Sequence, residues 1–255
     1  MRLNIRSLSI LGATTLAICG LTACGGGGGD SDRVVARITG GGTITKADVE
    51  HWMPVEAVVL YQEYPTKPVP EGVVPDPPTY TACVAYLQTS QQKLVESGPK
   101  PSTTQLKNKC AAKNKELKEL TLNTLIVWNW TIDAGLALGM KASDAEVKAR
   151  FNEGKQRYFP KGEEFANYLM WTGQTVSDIV FRSRVQVFEA KLLKDLEAIQ
   201  KNTGLTAQQK REALAKFMQA LPPGKQWAAK TTCVKGYVVS ACKQYNGPLE
   251  PGVPN

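Results

Sequence analysis

Between Thr103 and Leu138 the apolar residues Leu122, Leu125, Ile126, Trp128, Ile132 and Leu136 recur three and four residues apart, which is the period of one helix face. Gly139 follows where a C-capping glycine belongs. This stretch is the longest regular element in the sequence and makes the chain mainly helical. Other segments repeat the pattern. Thr45 with Asp48 forms the acidic version of a capping box, so a helix is expected from about Lys46 to Gln62, with Pro54 kinking or breaking it. A helix carrying Cys83 and Leu87 should end before Gly98-Pro99. Ser143-Asp144-Ala145-Glu146 opens a helix that carries Val147 and Phe151 and ends near Phe159-Pro160. A short helix is expected from Glu163 to Trp171, closed by Gly173. Thr175 caps a long helix in which Phe181, Val185, Phe188, Leu192, Leu196 and Ile199 again step by three and four, until Gly204. Thr206 caps a last helix, ended by Pro222-Pro223-Gly224.

Strands are few. Val34-Val35-Ala36-Arg37-Ile38 is β-branched and precedes Gly40-Gly41-Gly42, which permits a tight turn before Thr43 and Ile44. Gly236-Tyr237-Val238-Val239 reads as a small strand or hairpin, and the strands 34–38 and 237–239 are expected to pair. Residues 63–79 hold Pro65, Pro68, Pro70, Pro75, Pro77 and Pro78 and read as an extended, polyproline-like loop. The predicted fold class is therefore mainly α, a helical domain with a few short β-strands near its two ends. No internal repeat is visible.

The N-terminus constrains the compartment. Arg2 and Arg6 precede an apolar stretch from Leu8 to Cys19, and Leu21-Thr22-Ala23-Cys24 follows. Charge, short apolar run and small residues in that order form a secretory signal. The run is too short to span a bilayer, which takes about 20 apolar residues. Leu-Thr-Ala-Cys resembles the bacterial lipobox, which implies cleavage before Cys24 and a diacylglycerol on its sulfur. Gly25 to Gly29 then makes a flexible tether. The expected layout is a signal peptide at 1–23, a lipidated Cys24 and tether at 24–32, a folded domain at 33–245 and a disordered tail at 246–255. The expected location is extracytoplasmic, with the membrane reached through the lipid anchor.

Four cysteines remain in the body: Cys83, Cys110, Cys233 and Cys242. An even count in an oxidising compartment reads as disulfides. Of the three possible pairings, Cys83–Cys110 and Cys233–Cys242 are favoured because each is local. Zinc fits poorly, because the spacings are wrong and histidine support is lacking.

Loss of residues 1–23 removes two arginines and no acids, so the net charge of +8 falls to +6. Lys107, Lys109, Lys113, Lys115 and Lys118 form the densest basic stretch, but Glu116 and Glu119 interleave. A solvated helix face accounts for it better than a nucleic-acid patch.

The catalytic inventory is thin. His51 is the only histidine, so no Ser-His-Asp or Cys-His set exists without it. The pair Glu163 and Glu164 reads as a surface turn, no phosphate-cradling loop is present, and no cofactor or metal is expected. The positive signal is apolar. Trp52, Met53, Trp128, Trp130, Met170, Trp171 and Met218 are large and adaptable, and surfaces lined by such residues suit varied apolar partners. Trp128 and Trp130 fall on different helix faces, so burial of both in one core is not expected, and one of them is expected to line a groove.

Four segments carry a family resemblance. Val34-Val35-Ala36-Arg37-Ile38 through Ile44-Thr45-Lys46-Ala47-Asp48-Val49 resembles the strand, turn and helix that open the SurA N-terminal-domain family, with Gly40-Gly41-Gly42 in place of its Asn-Gly turn. Ser143-Asp144-Ala145-Glu146-Val147 and the stretch from Phe165 to Phe181, with Gly173 and Val176-Ser177-Asp178-Ile179, resemble later segments of that family. Trp227 to Cys242 is similar to the C-terminal segment of foldase lipoproteins of actinobacterial type. The resemblance covers most of residues 33–245. It implies an extracytoplasmic chaperone of the SurA and PrsA kind, whose partners are unfolded secreted polypeptides. Many members also carry a parvulin peptidyl-prolyl isomerase domain. Only residues 197–226 separate Leu196 from Trp227 here, fewer than the about 50 a domain needs. The implied activity is therefore holding without isomerisation. A prolyl isomerase and a cell-envelope scaffold with one fixed partner remain as alternatives.

Overall fold

The computed structural model describes residues 30–62, 67–92, 100–222 and 225–247. The expected signal peptide, Cys24, the glycine tether, the Gly98-Pro99 helix stop, Pro223-Gly224 and most of the expected tail lie outside them. Among the described residues the chain is mainly helical with one small sheet near its two ends. In chain order a 3-10 turn (Asp30–Asp32) precedes β1 (Val34–Ile38), β2 (Thr43–Thr45), α1 (Lys46–Tyr61), α2 (Thr81–Gln92), α3 (Thr103–Ala137) and α4 (Asp144–Tyr158). Then come α5 (Gly162–Thr172), α6 (Val176–Lys201), α7 (Ala207–Ala220), α8 (Lys225–Ala228) and β3 (Thr231–Cys233).

The long helix is the spine. The Ser102 hydroxyl accepts from the Gln105 N–H, and the Gln105 side chain accepts from the Ser102 N–H, so two orphan donors are satisfied at its start. At its end Gly139 has φ +78°, and the bonds Met140 N–H to Gly135 and Gly139 N–H to Leu136 complete a Schellman motif. Leu122, Leu125 and Ile126 of the apolar stripe are buried, whereas Leu136 at its far end is exposed.

β1 is the central strand, antiparallel to β2 on one side and to β3 on the other. The expectation that 237–239 supplies its partner is corrected: Thr231–Cys233 pairs with it, with Ala36 opposite Cys233. Residues 237–239 instead lie in the loop closed by the Cys233–Cys242 disulfide. The far edge of β3 is met by the Gln244 side chain, which accepts from the Cys233 N–H and donates to the Cys233 carbonyl. Asn123 of α3 accepts bonds from Ser240 and the Ala241 N–H and so pins that loop to the spine.

The triple glycine of the β1–β2 turn has a steric cause. Gly40 has φ +81°, which favours glycine. A Cβ on Gly41 would fall against the Asp133 carboxylate of α3.

α1 runs unbroken through Pro54, so the expected break does not occur. The proline costs one backbone bond. Burial of Val49, Trp52, Val55 and Val58 on that helix outweighs the loss.

Cys83 and Cys110 are joined, stapling α2 to α3 around Val84 and Leu106. The proline-rich loop is also corrected. Its described part, 67–79, is turned rather than extended: Val73 is buried, the Lys113 ammonium donates to the Val73 carbonyl at 2.8 Å, and the Asp76 carboxylate accepts the N–H groups of Ala82 and Cys83. Asp76 therefore caps α2, and those N–H groups hold its carboxyl below the usual range against the opposing effect of desolvation.

One further helix, α8, was not anticipated after α7. It is a single turn that buries Trp227. α4 lies along α6, tied by Glu146 to Lys191 at 2.6 Å and by Arg150 to Gln186 at 3.0 Å.

Candidate functional site

The seven apolar candidates do not converge on one groove. Trp130 is 1% exposed and Trp52 is 7% exposed. Both belong to the main core, and Met53 and Trp128 pack against it half-buried. As expected, Trp128 and Trp130 are not both buried in that core: Trp130 is, and Trp128 is half-buried against it, with α3 covered on more than one side. On one, the Trp130 indole meets Trp227 and donates to the Thr231 hydroxyl at 2.9 Å. On another, Trp128 stands edge-on to Trp52 of α1 at 5.2 Å and to Phe181 of α6 at 5.9 Å. Trp171 is half-buried on α5. Met170 on α5 and Met218 on α7 are exposed, at 69% and 51%.

His51 is exposed, and its Nε2 lies 3.0 Å from Asp178 Oδ2. That same oxygen accepts from the Thr175 N–H and hydroxyl in the capping box of α6. His51 thus ties α1 to the start of α6, and its carboxylate partner is already occupied in capping the N-terminus of that helix. Among the described residues no group of three or more His, Cys, Asp or Glu side chains could hold a metal ion.

A concave feature lined by several aromatic residues lies between α4, α5 and α6, a cleft of about 100 Å³. Its floor follows from a short amphipathic helix. In α5, Phe165 and Tyr168 are three residues apart and therefore share a face. Phe165 meets Phe151 of α4 edge-on at 5.7 Å, and Phe159 lies 5.6 Å from Phe165 and 4.8 Å from Tyr168. Phe159, Phe165 and Tyr168 are each less than a tenth exposed, while Phe151 is half-buried and Tyr158 is exposed.

The rim is cationic. Arg150, Lys155, Arg157 and Arg182 line the cleft with a single acid, Glu153, which is paired with Arg150 at 3.0 Å. The Lys155 ammonium stands over the Phe165 ring at 4.9 Å and the Arg157 guanidinium over Tyr158 at 5.4 Å. Arg182 donates to the Tyr168 hydroxyl at 3.4 Å and lies 6.0 Å from the centre of Trp128, so it joins the cleft to the core. It also faces Glu56 of α1. Burial raises the Glu56 carboxyl above its usual range, and the Arg182 charge opposes that rise in part.

None of Phe159, Phe165, Tyr168 or the four cations stood out in the sequence. The signal was present as aromatic residues at 151, 158, 159, 165 and 168 interleaved with cations at 150, 155 and 157. Its period was obscured by Pro160 and Gly162, which bend the chain so that two short segments face each other. No protein-family model, no curated protein and no solved structure matches the chain.

Proposed function

We propose that the protein is a membrane-tethered extracytoplasmic chaperone that holds extended segments of unfolded secreted polypeptides. The observation that carries this reading is the α4–α5–α6 cleft, with rings as its floor and long flexible cations at its rim. Rings offer sequence-tolerant apolar contact, and Lys and Arg stems adapt to different neighbours. The lipobox-like Leu21-Thr22-Ala23-Cys24 supports a tether, and two disulfides support an oxidising compartment. The sequence likeness to the SurA N-terminal-domain family agrees with the same role.

The test uses the full chain reconstituted in phosphatidylcholine nanodiscs, incubated with several unrelated reduced, unfolded secreted proteins while light scattering is followed. Suppression of aggregation across unrelated clients, without acceleration of prolyl isomerisation in a peptide assay, is the expected result. Suppression of none of them would sink the holding role and favour a scaffold with one partner.

A further inference from the structure

We propose that the α4–α5–α6 cleft selects client segments in which acidic side chains flank an apolar one, so that carboxylates meet its rim while the apolar group meets its rings. The inference rests on the holding role for the use made of this site, but its chemistry is local. Four cations line the cleft, and among the described residues the only ion pair they form is Arg150 with Glu153. Lys155 and Arg157 sit in the last turn of α4, where positive charge is favoured by the helix dipole, so they are held there at little cost without a carboxylate. Their positions over Phe165 and Tyr158 are contacts through ring faces, which leaves ammonium and guanidinium donors available to a carboxylate. Arg182 is satisfied differently, by the Tyr168 hydroxyl and the Glu56 charge, and so helps shape the cleft more than it attracts.

Charge complementarity therefore points to an anion, and the floor demands an apolar neighbour to it. An extended peptide supplies both, because alternate side chains project to opposite sides. A membrane surface does not fit. Phe159, Phe165 and Tyr168 lie at the bottom of a concave site, less than a tenth exposed, beyond the reach of a planar layer of headgroups.

The test measures binding of three acetylated, amidated peptides to the full chain in phosphatidylcholine nanodiscs. The peptides are identical except that Glu, Gln or Lys flanks a central apolar pair. At low salt the Glu peptide is expected to bind about tenfold tighter than the Gln peptide, and the Lys peptide weakest. The preference should shrink above about 0.5 M salt, where screening acts within a few ångström. Combined K155E and R157E should reverse the order, and combined K155Q and R157Q, which spare the fold any new repulsion, should abolish it. Equal affinity for all three peptides, or a preference that survives both double variants, would overturn the assignment. So would displacement of the Glu peptide by phosphatidylglycerol vesicles, which would make the cleft a headgroup site. Aggregation suppression that continues with no peptide preference refutes this inference and leaves the holding role intact. A Glu preference without suppression of any client does the reverse.

Discussion

Two regions of this molecule are built from the same kind of residue, both largely buried, and differ in what lies against them. Around the sheet, Trp52, Trp130 and Trp227 are buried among α1, α3, α8 and the disulfide-closed loop, with Trp128 half-buried against them. Between α4, α5 and α6, Phe151, Phe159, Phe165 and Tyr168 line one wall of an open cleft. The difference lies in what covers the rings. The tryptophans are sealed by a strand that returns from the far end of the chain and by a loop that Asn123 pins to the spine. The cleft rings have no third layer, and at their mouth stand Arg150, Lys155 and Arg157, with the Lys155 ammonium over Phe165 and the Arg157 guanidinium over Tyr158. Aromatic content alone thus says little about which face binds. The neighbours that close or fail to close over the rings decide it.

The comparison breaks most readily at Trp130. Its ring is fully enclosed and its indole N–H is paired with Thr231. Trp130→Ala removes that volume and leaves the Thr231 hydroxyl without its indole donor in a buried site. A loss of about 3–5 kcal/mol in urea unfolding is expected. Truncating a rim residue such as Arg157 should stay within about 0.5 kcal/mol. Similar losses at the two positions would mean that the cleft is as closed as the core and that the contrast is false.

The Cys83–Cys110 bridge gives the next largest effect. It belongs to a third, small cluster beside neither set of rings, and it joins residues 27 apart in sequence. Replacing both cysteines by serine should cost roughly 3–4 kcal/mol through the loop it no longer constrains in the unfolded chain. Peptide binding at the cleft should persist in whatever fraction remains folded, measured by titration below the midpoint. Loss of binding in the folded fraction would show that α2 supports the cleft after all.

How much of this was readable beforehand depends on whether a signal was local. Capping boxes at Thr45, Ser143, Thr175 and Thr206 are read within four residues, and all four open helices where expected. The two short-range disulfides were legible for the same reason. Long-range partners were not. β3 was misplaced because Thr231–Cys233 takes the edge of β1 that 237–239 was expected to pair with, and 237–239 is held in the loop that the Cys233–Cys242 disulfide closes. Gly135 stands where a Cβ would strike the ring of Phe188 in α6, so its absence of a side chain sets how closely the two helices pack, and no local signal shows that. The cleft was missed because its rings come from two segments that look unrelated until Pro160 and Gly162 turn the chain.

The smallest effect tests how the cleft region is held together. The sheet region is joined mainly by burial, whereas α4 meets α6 partly through charge at Glu146 and Lys191. The Glu146 carboxylate accepts from the Lys191 ammonium and from the Ser143 N–H and hydroxyl, and these bonds lower its pKa to about 2. A carboxyl with a depressed folded pKa binds fewer protons folded than unfolded, so its contribution is complete above the unfolded value of about 4.3 and fades as pH falls toward 2. Glu146→Gln should therefore lower the melting temperature slightly at pH 6, and the gap to the unaltered protein should close between about pH 4.5 and 2. Because the pair is exposed, 0.5 M salt should narrow the gap at pH 6 as well. A gap that does not change with pH would assign the effect of Glu146 to its capping bonds as a neutral acceptor, and would place the cleft region, like the sheet region, under the control of packing alone.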